Sequence, residues 1–149
     1  MNNGVTVLLA ILGGVFLAMQ GGLNAKLGIH LKSPVLASLI AFAFSTLFAL
    51  ILVLASLRTS FDVGLMRKIP VYLWFSGAFF SVCGICLYYH TIPKLGISSM
   101  ISLGLFGQLL FSTIAGHFGW FGLPEEPVAL KKIIGVLAMT GGIILINKN

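Results

Sequence analysis

The chain alternates long apolar runs with short polar breaks. Residues 1–25, 33–57, 69–93, 95–124 and 133–147 contain no Asp, Glu, Lys or Arg. A soluble helix or half-buried strand turns one face to water and spaces its charges every few residues. This chain does not, so its solvent is lipid. A hydrocarbon core ~30 Å thick is crossed by ~20 apolar helical residues. The pattern therefore predicts five membrane-spanning helices, over about 5–22, 34–57, 70–92, 98–117 and 130–146. Alternating segments of the kind that build membrane β-barrels are not seen, nor is an internal repeat.

Local signals place the breaks. Gly21, Gly22, Asn24 and Lys26 end the first run. Ser33 is a candidate N-cap, with Pro34 in the first turn of the second helix. Arg58 to Lys68 reads as a basic loop with room for a helical turn. Pro93 cannot continue a helix without losing a hydrogen bond, so the third helix is expected to stop before it. Gly119, Gly122, Pro124 and Pro127 break the stretch after His117. The fifth run is the shortest: residues 133–146 cover only ~21 Å. Lys131, Lys132 and Lys148 extend it by reaching both interfaces.

Composition agrees. The chain has 149 residues, 58% hydrophobic and 8% charged, with mean hydropathy +1.10. Five spans leave only loops, so residues 1–149 read as a single transmembrane domain. The net charge of +6 belongs to Lys and Arg at headgroup depth rather than to a nucleic-acid surface. Met1-Asn2-Asn3-Gly4 lacks a cationic signal-peptide start, so the first run is expected to be a retained helix. Cys83 and Cys86 are spaced like a redox pair but lie inside an apolar run, where they read as small core-type side chains.

The cations bear on mechanism. An odd number of spans puts the termini on opposite sides. Arg58, Arg67, Lys68, Lys131 and Lys132 then share the N-terminal side, and Lys26, Lys32, Lys94 and Lys148 the other. Orientation follows the Lys/Arg bias of short loops, and five against four is almost no bias. The chain is expected to insert both ways and to pair antiparallel. Two such copies would make the inverted repeat on which many transporters are built.

Polar groups inside the spans are costly and so informative. Gly13, Leu17, Gln20 and Asn24 share one face of the first helix. Gln20 and Asn24 are candidate substrate-binding amides, or else interhelical hydrogen-bonding groups. On the fourth helix Gly104, Gln108, Ser112 and Gly116 repeat every four residues, which makes Gln108 and Ser112 candidates too. Trp74, Gly77, Ser81, Gly84 and Tyr88 share a face of the third helix, where Trp74, Ser81 and Tyr88 would line a cavity or serve an interfacial belt. His90 and His117 are candidate proton-coupling groups. Gly135 and Gly142, seven apart, let backbones approach and mark a candidate dimer interface. No metal ligand set and no cofactor are expected, and Glu125 and Glu126 read as solvated loop residues. Catalytic motifs are missing, which argues against an enzyme. With no carboxylate in a span, classical cation/proton antiport is not expected, and a small neutral or weakly polar, amphipathic metabolite or drug-like molecule fits better.

Several segments resemble a known family. Met19-Gln20-Gly21-Gly22-Leu23-Asn24-Ala25-Lys26-Leu27-Gly28 resembles the Q-x-x-x-N-x-x-L-G signature ending the first helix of the YdcZ family. Ser33-Pro34-Val35-Leu36-Ala37-Ser38 is similar to the opening of its second helix. Gly107-Gln108-Leu109 and His117-Phe118-Gly119 resemble its fourth, and Lys132 to Gly142 its last. That family is the half-length, five-helix branch of the drug/metabolite transporter superfamily. The resemblance implies a bacterial inner-membrane transporter, half of a ten-helix inverted repeat, completed by a second copy in opposite orientation or by a paired homologous chain. The family often has an acidic residue just before the His of the fourth helix. Gly116 stands there, so a role for that acid would fall to a second chain. A small dual-topology channel and a non-transporting subunit of a larger membrane complex are the alternatives.

Overall fold

A computed structural model describes residues 3–56, 63–122 and 124–148. Leu57 and Arg58, which the sequence places at the end of the second helix and in the following loop, lie outside the described residues. The order is α1 (Asn3–His30), α2 (Pro34–Ala55), α3 (Val63–Met66), α4 (Val71–Leu95), α5 (Ile97–His117), a 3₁₀ turn (Trp120–Gly122) and α6 (Leu130–Asn147). Among the described residues there are no strands. Five helices, α1, α2, α4, α5 and α6, are long and apolar enough to cross a membrane. At most 11% of the most apolar window of any span is buried. These helices do not hide their apolar faces from one another as a soluble bundle must, which leaves lipid or a partner to cover them.

Two helices run past their expected ends. The first was expected to stop near Gly22, but α1 continues to His30. Gly21, Ala25 and Gly28 explain this. They form a stripe of small residues that the neighbouring helices pack against, and that packing outweighs the weak helix propensity of glycine. A Cβ on Gly21 would lie 3.4 Å from Ile92 Cδ1, and one on Gly28 would lie 3.5 Å from Ala37 Cβ. The third span was expected to end before Pro93, yet α4 includes Pro93 and reaches Leu95. A proline near the last turn costs one hydrogen bond to the preceding turn, and the helix ends two residues later. Gly96, with φ 83°, then takes a backbone conformation that suits glycine. As a result Lys26 and Lys94 sit on the spanning helices themselves, near their ends, rather than beyond them.

The residues divide into two compact units, one up to Lys94 and one from Leu95. In the first, α1 turns into α2 through Leu31, Lys32 and Ser33. Lys32 has φ 53°, and the Ser33 N–H donates to the Gly28 carbonyl at 3.1 Å. Ser33 caps α2 as expected, its Oγ accepting from the Leu36 N–H at 3.1 Å, with Pro34 in the first turn. The buried residues gather at this end of the three long helices: Ala25, Ala37, Ser38, Tyr89 and Ile92. Toward the far ends, Val5 to Leu12 of α1, Leu47 to Leu52 of α2 and Val71 to Phe75 of α4 have exposed large side chains.

In the second unit, α5 and α6 are tied at both ends. Asn147 Nδ2 donates to Ser102 Oγ at 3.2 Å and to the Ile143 carbonyl at 2.8 Å. At the other end, the Glu126 N–H donates to the Gly116 carbonyl at 2.8 Å. α6 has 18 residues, ~27 Å at 1.5 Å per residue, close to the hydrocarbon thickness.

Candidate functional site

The amides singled out on the first helix meet a group the sequence reading passed over. Tyr89 is 1% exposed, the largest fully buried side chain. Its hydroxyl accepts from Asn24 Nδ2 at 2.9 Å and from Gln20 Nε2 at 3.4 Å. Gln20 and Asn24 are one turn apart on α1, so both reach the same oxygen. Tyr89 has Ile92 one turn on and Cys86 one turn back, all turned toward α1 and α2. Cys86 Sγ lies 3.1 Å from Ser38 Oγ, and Ser38 also donates to the Val35 carbonyl at 2.8 Å. A polar seam thus runs through the packed end of the first unit.

The face chosen on the third span from spacing alone is the neighbouring one. Trp74, at 47% exposure, and Ser81 are exposed, and Tyr88 is half-buried. Tyr89 lies about 100° further round the helix than Tyr88. One signal pointed to it. α1 and α4 cross in the same direction, so residues near their C-terminal ends share a depth, and a buried tyrosine needs a partner for its hydroxyl. Gln20 and Asn24 are the amides at that depth.

His90 is exposed beside Lys94, with Nε2 2.6 Å from Lys94 Nζ. His117 ends α5, exposed, with its ring 4.9 Å from that of Phe118. Gln108 and Ser112 lie exposed on α5, and Ser112 Oγ donates to the Leu109 carbonyl of its own helix at 3.1 Å. On α6, a Cβ added to Gly135 or Gly142 would meet no described atom within 4 Å. Among the described residues, no three His, Cys, Asp or Glu side chains gather where they could hold a metal.

A second site appears within the second unit. A cavity of about 600 Å³ is lined by Leu109, Phe111, Ser112, Trp120, Glu126 and Lys132, among others. Phe111 anchors its aromatic wall, 6.0 Å from the Trp120 ring and 6.3 Å from that of Phe121. Glu126, expected to be solvated, is exposed and also pairs with Lys132 at 2.7 Å. The hydrogen bond and charge of Lys132 hold the Glu126 carboxyl below its ordinary value. The position of the missing fourth-helix acid, Gly116, faces this residue: a Cβ there would lie 3.7 Å from Glu126 Cβ. Ser112 therefore stands beside a charged pair, while Gln108 is one turn further along α5.

No curated protein and no solved structure matches this chain. One family model matches residues 5–145, nearly its whole length, and its description is "Putative inner membrane exporter, YdcZ". Five helices long and apolar enough to cross a membrane accord with that description, and the chain belongs to the YdcZ family of membrane exporters.

Proposed function

We propose that the chain is one half of a small exporter, working by alternating access as an antiparallel dimer of two oppositely inserted copies in a bacterial inner membrane. Its cargo is a small neutral or weakly polar, amphipathic molecule. The Tyr89 hydroxyl gathered with Gln20 and Asn24 carries this reading. These three groups offer hydrogen bonds without charge, on helices whose other polar groups are sparse. A cargo amide, hydroxyl or carbonyl exchanges into such a cluster without the desolvation cost that a buried ion imposes. Trp74, Ser81 and Tyr88 on α4 are proposed as further cargo contacts of the first unit, and Gln108 and Ser112 on α5 as cargo contacts of the second, each unit taken by itself.

The near-equal division of cations supports insertion both ways. The open surface at Gly135 and Gly142 supports helix α6 as the contact between copies. Any proton coupling is assigned to His90, toward the end of α4, and to His117, the last residue of α5.

The test is counterflow in proteoliposomes of the purified chain, with wild type compared with Tyr89→Phe, Asn24→Ala and Gln20→Ala. Saturable exchange of a neutral amphiphile, reduced in all three variants, is the expected outcome. Proton-coupled or electrogenic uptake of a quaternary ammonium would contradict it, and flux without counterflow would indicate a channel.

A further inference from the structure

The cavity of the second unit is polarised in a way that names a ligand chemistry. Its two charged groups, Glu126 and Lys132, sit 2.7 Å apart at opposite helix ends. Glu126 is pinned to the last turn of α5 by its N–H bond to the Gly116 carbonyl at 2.8 Å. That end of a helix carries partial negative charge. Lys132 belongs to the first turn of α6, whose N-cap, Ala129, supplies no side-chain cap. That end carries partial positive charge, with amide hydrogens turned outward. The cavity lining thus carries one anionic and one cationic group side by side, together with the aromatic side chains of Phe111, Trp120 and Phe121.

We propose that this cavity binds a zwitterionic amphiphile, with its ammonium on Glu126, its anionic group on Lys132 and its apolar part against Phe111 and Trp120. A cation alone would take Glu126 and leave Lys132 uncompensated beside apolar walls. An anion alone would do the reverse. A zwitterion satisfies both and adds no net charge. The existing pair is easy to open, since the Lys132 and Glu126 side chains are 35% and 68% exposed and exposed ion pairs hold weakly. The volume, about 600 Å³, lies within the range of small-ligand sites. The proposal stands independently of the transport reading, because it concerns equilibrium binding at residues remote in sequence from Gln20, Asn24 and Tyr89.

Two sources share this chemistry: a zwitterionic lipid headgroup and a free amino acid with an apolar side chain. Binding is read from tryptophan fluorescence of purified full-length Trp74→Phe protein in a nonionic maltoside. The chain has 2 tryptophans, so Trp120 is then the reporter. The titrants are lysophosphatidylethanolamine below its micellar concentration, leucine, an alkylamine and an alkyl carboxylate. A saturable response to either zwitterion is expected, and the responding arm identifies the source. The singly charged titrants should bind about ten-fold more weakly, the loss expected for one charge-assisted hydrogen bond. Glu126→Gln and Lys132→Gln, each made in the Trp74→Phe background, should each lower affinity by about the same factor. The Glu126→Lys/Lys132→Glu double variant should regain it, since the ligand can reverse its ends. Glu126→Gln keeps the backbone bond that positions the loop, so its effect reports the charge. Equal binding of the alkylamine, no response to either zwitterion, or wild-type affinity in both neutral variants would each overturn the proposal.

Discussion

Replacing Tyr89 by phenylalanine tests the polar cluster with little change in shape. The ring stays, so the packed end of the first unit keeps its volume, and only the hydroxyl oxygen leaves. That oxygen accepts one bond at the ordinary amide distance, 2.9 Å from Asn24, and one long bond, 3.4 Å from Gln20. Interhelical side-chain bonds in membranes contribute about 0.6 kcal/mol on average and about 1.7 at most. A half-buried Asn24 amide left without its acceptor costs about 1–3 kcal/mol more where water does not reach it. Tyr89→Phe should therefore destabilise the chain by about 1–2 kcal/mol, whereas Tyr89→Ala adds a cavity and should exceed about 3 kcal/mol. The assay is reversible unfolding in mixed micelles, arranged as double-mutant cycles with Asn24→Ala and Gln20→Ala. A coupling near 1 kcal/mol is expected for the Asn24 cycle, and about half that for Gln20, whose bond is longer. A neutral Tyr89→Phe, or a Gln20 coupling larger than that of Asn24, would refute the reasoning.

Other outcomes follow from the same structure. Gln20→Ala and Gln108→Ala should impair transport while leaving membrane insertion intact, checked by flux and by membrane fractionation; normal flux in both would remove these amides from the site. Gly135→Leu or Gly142→Leu should weaken the dimer, read as its mass in detergent, and an unchanged mass would clear α6 of that role. The Glu126 carboxyl is held below its ordinary value by Lys132, so the pair's small stabilisation is present above the ordinary carboxylate value and lost as pH falls through the lowered one. A pH titration of Trp120 emission should show that loss at lower pH in Trp74→Phe than in Trp74→Phe/Lys132→Gln, and coincident curves would discount the pair.

Much of the fold was legible because membrane spans announce themselves through uncharged runs. Ser33 and Pro34 marked the start of α2 for reasons of local chemistry, and the structure uses both. The missed ends were set by packing. Gly21 and Gly22 look like a stop until Ile92 and Ala37 are known to press against that stripe. Pro93 looks like a barrier until it is seen to fall in the final turn. The site was legible in part. Gln20 and Asn24 stood out as amides in apolar surroundings, but choosing between Tyr88 and Tyr89 required the rotation of α4, which spacing alone does not fix. Glu126 was hidden because its partner, Lys132, lies beyond Pro127 and its neighbour, Gly116, belongs to α5.

The central claim is that two oppositely inserted copies make the working exporter, and the topology of the C-terminus tests it most directly. Two fusions are needed, one to a reporter active only in the cytoplasm and one to a reporter active only outside. Comparable signal from both is the predicted result, since the cations divide five to four between the two sides. Signal from one fusion alone would contradict the homodimer and require an oppositely oriented partner chain.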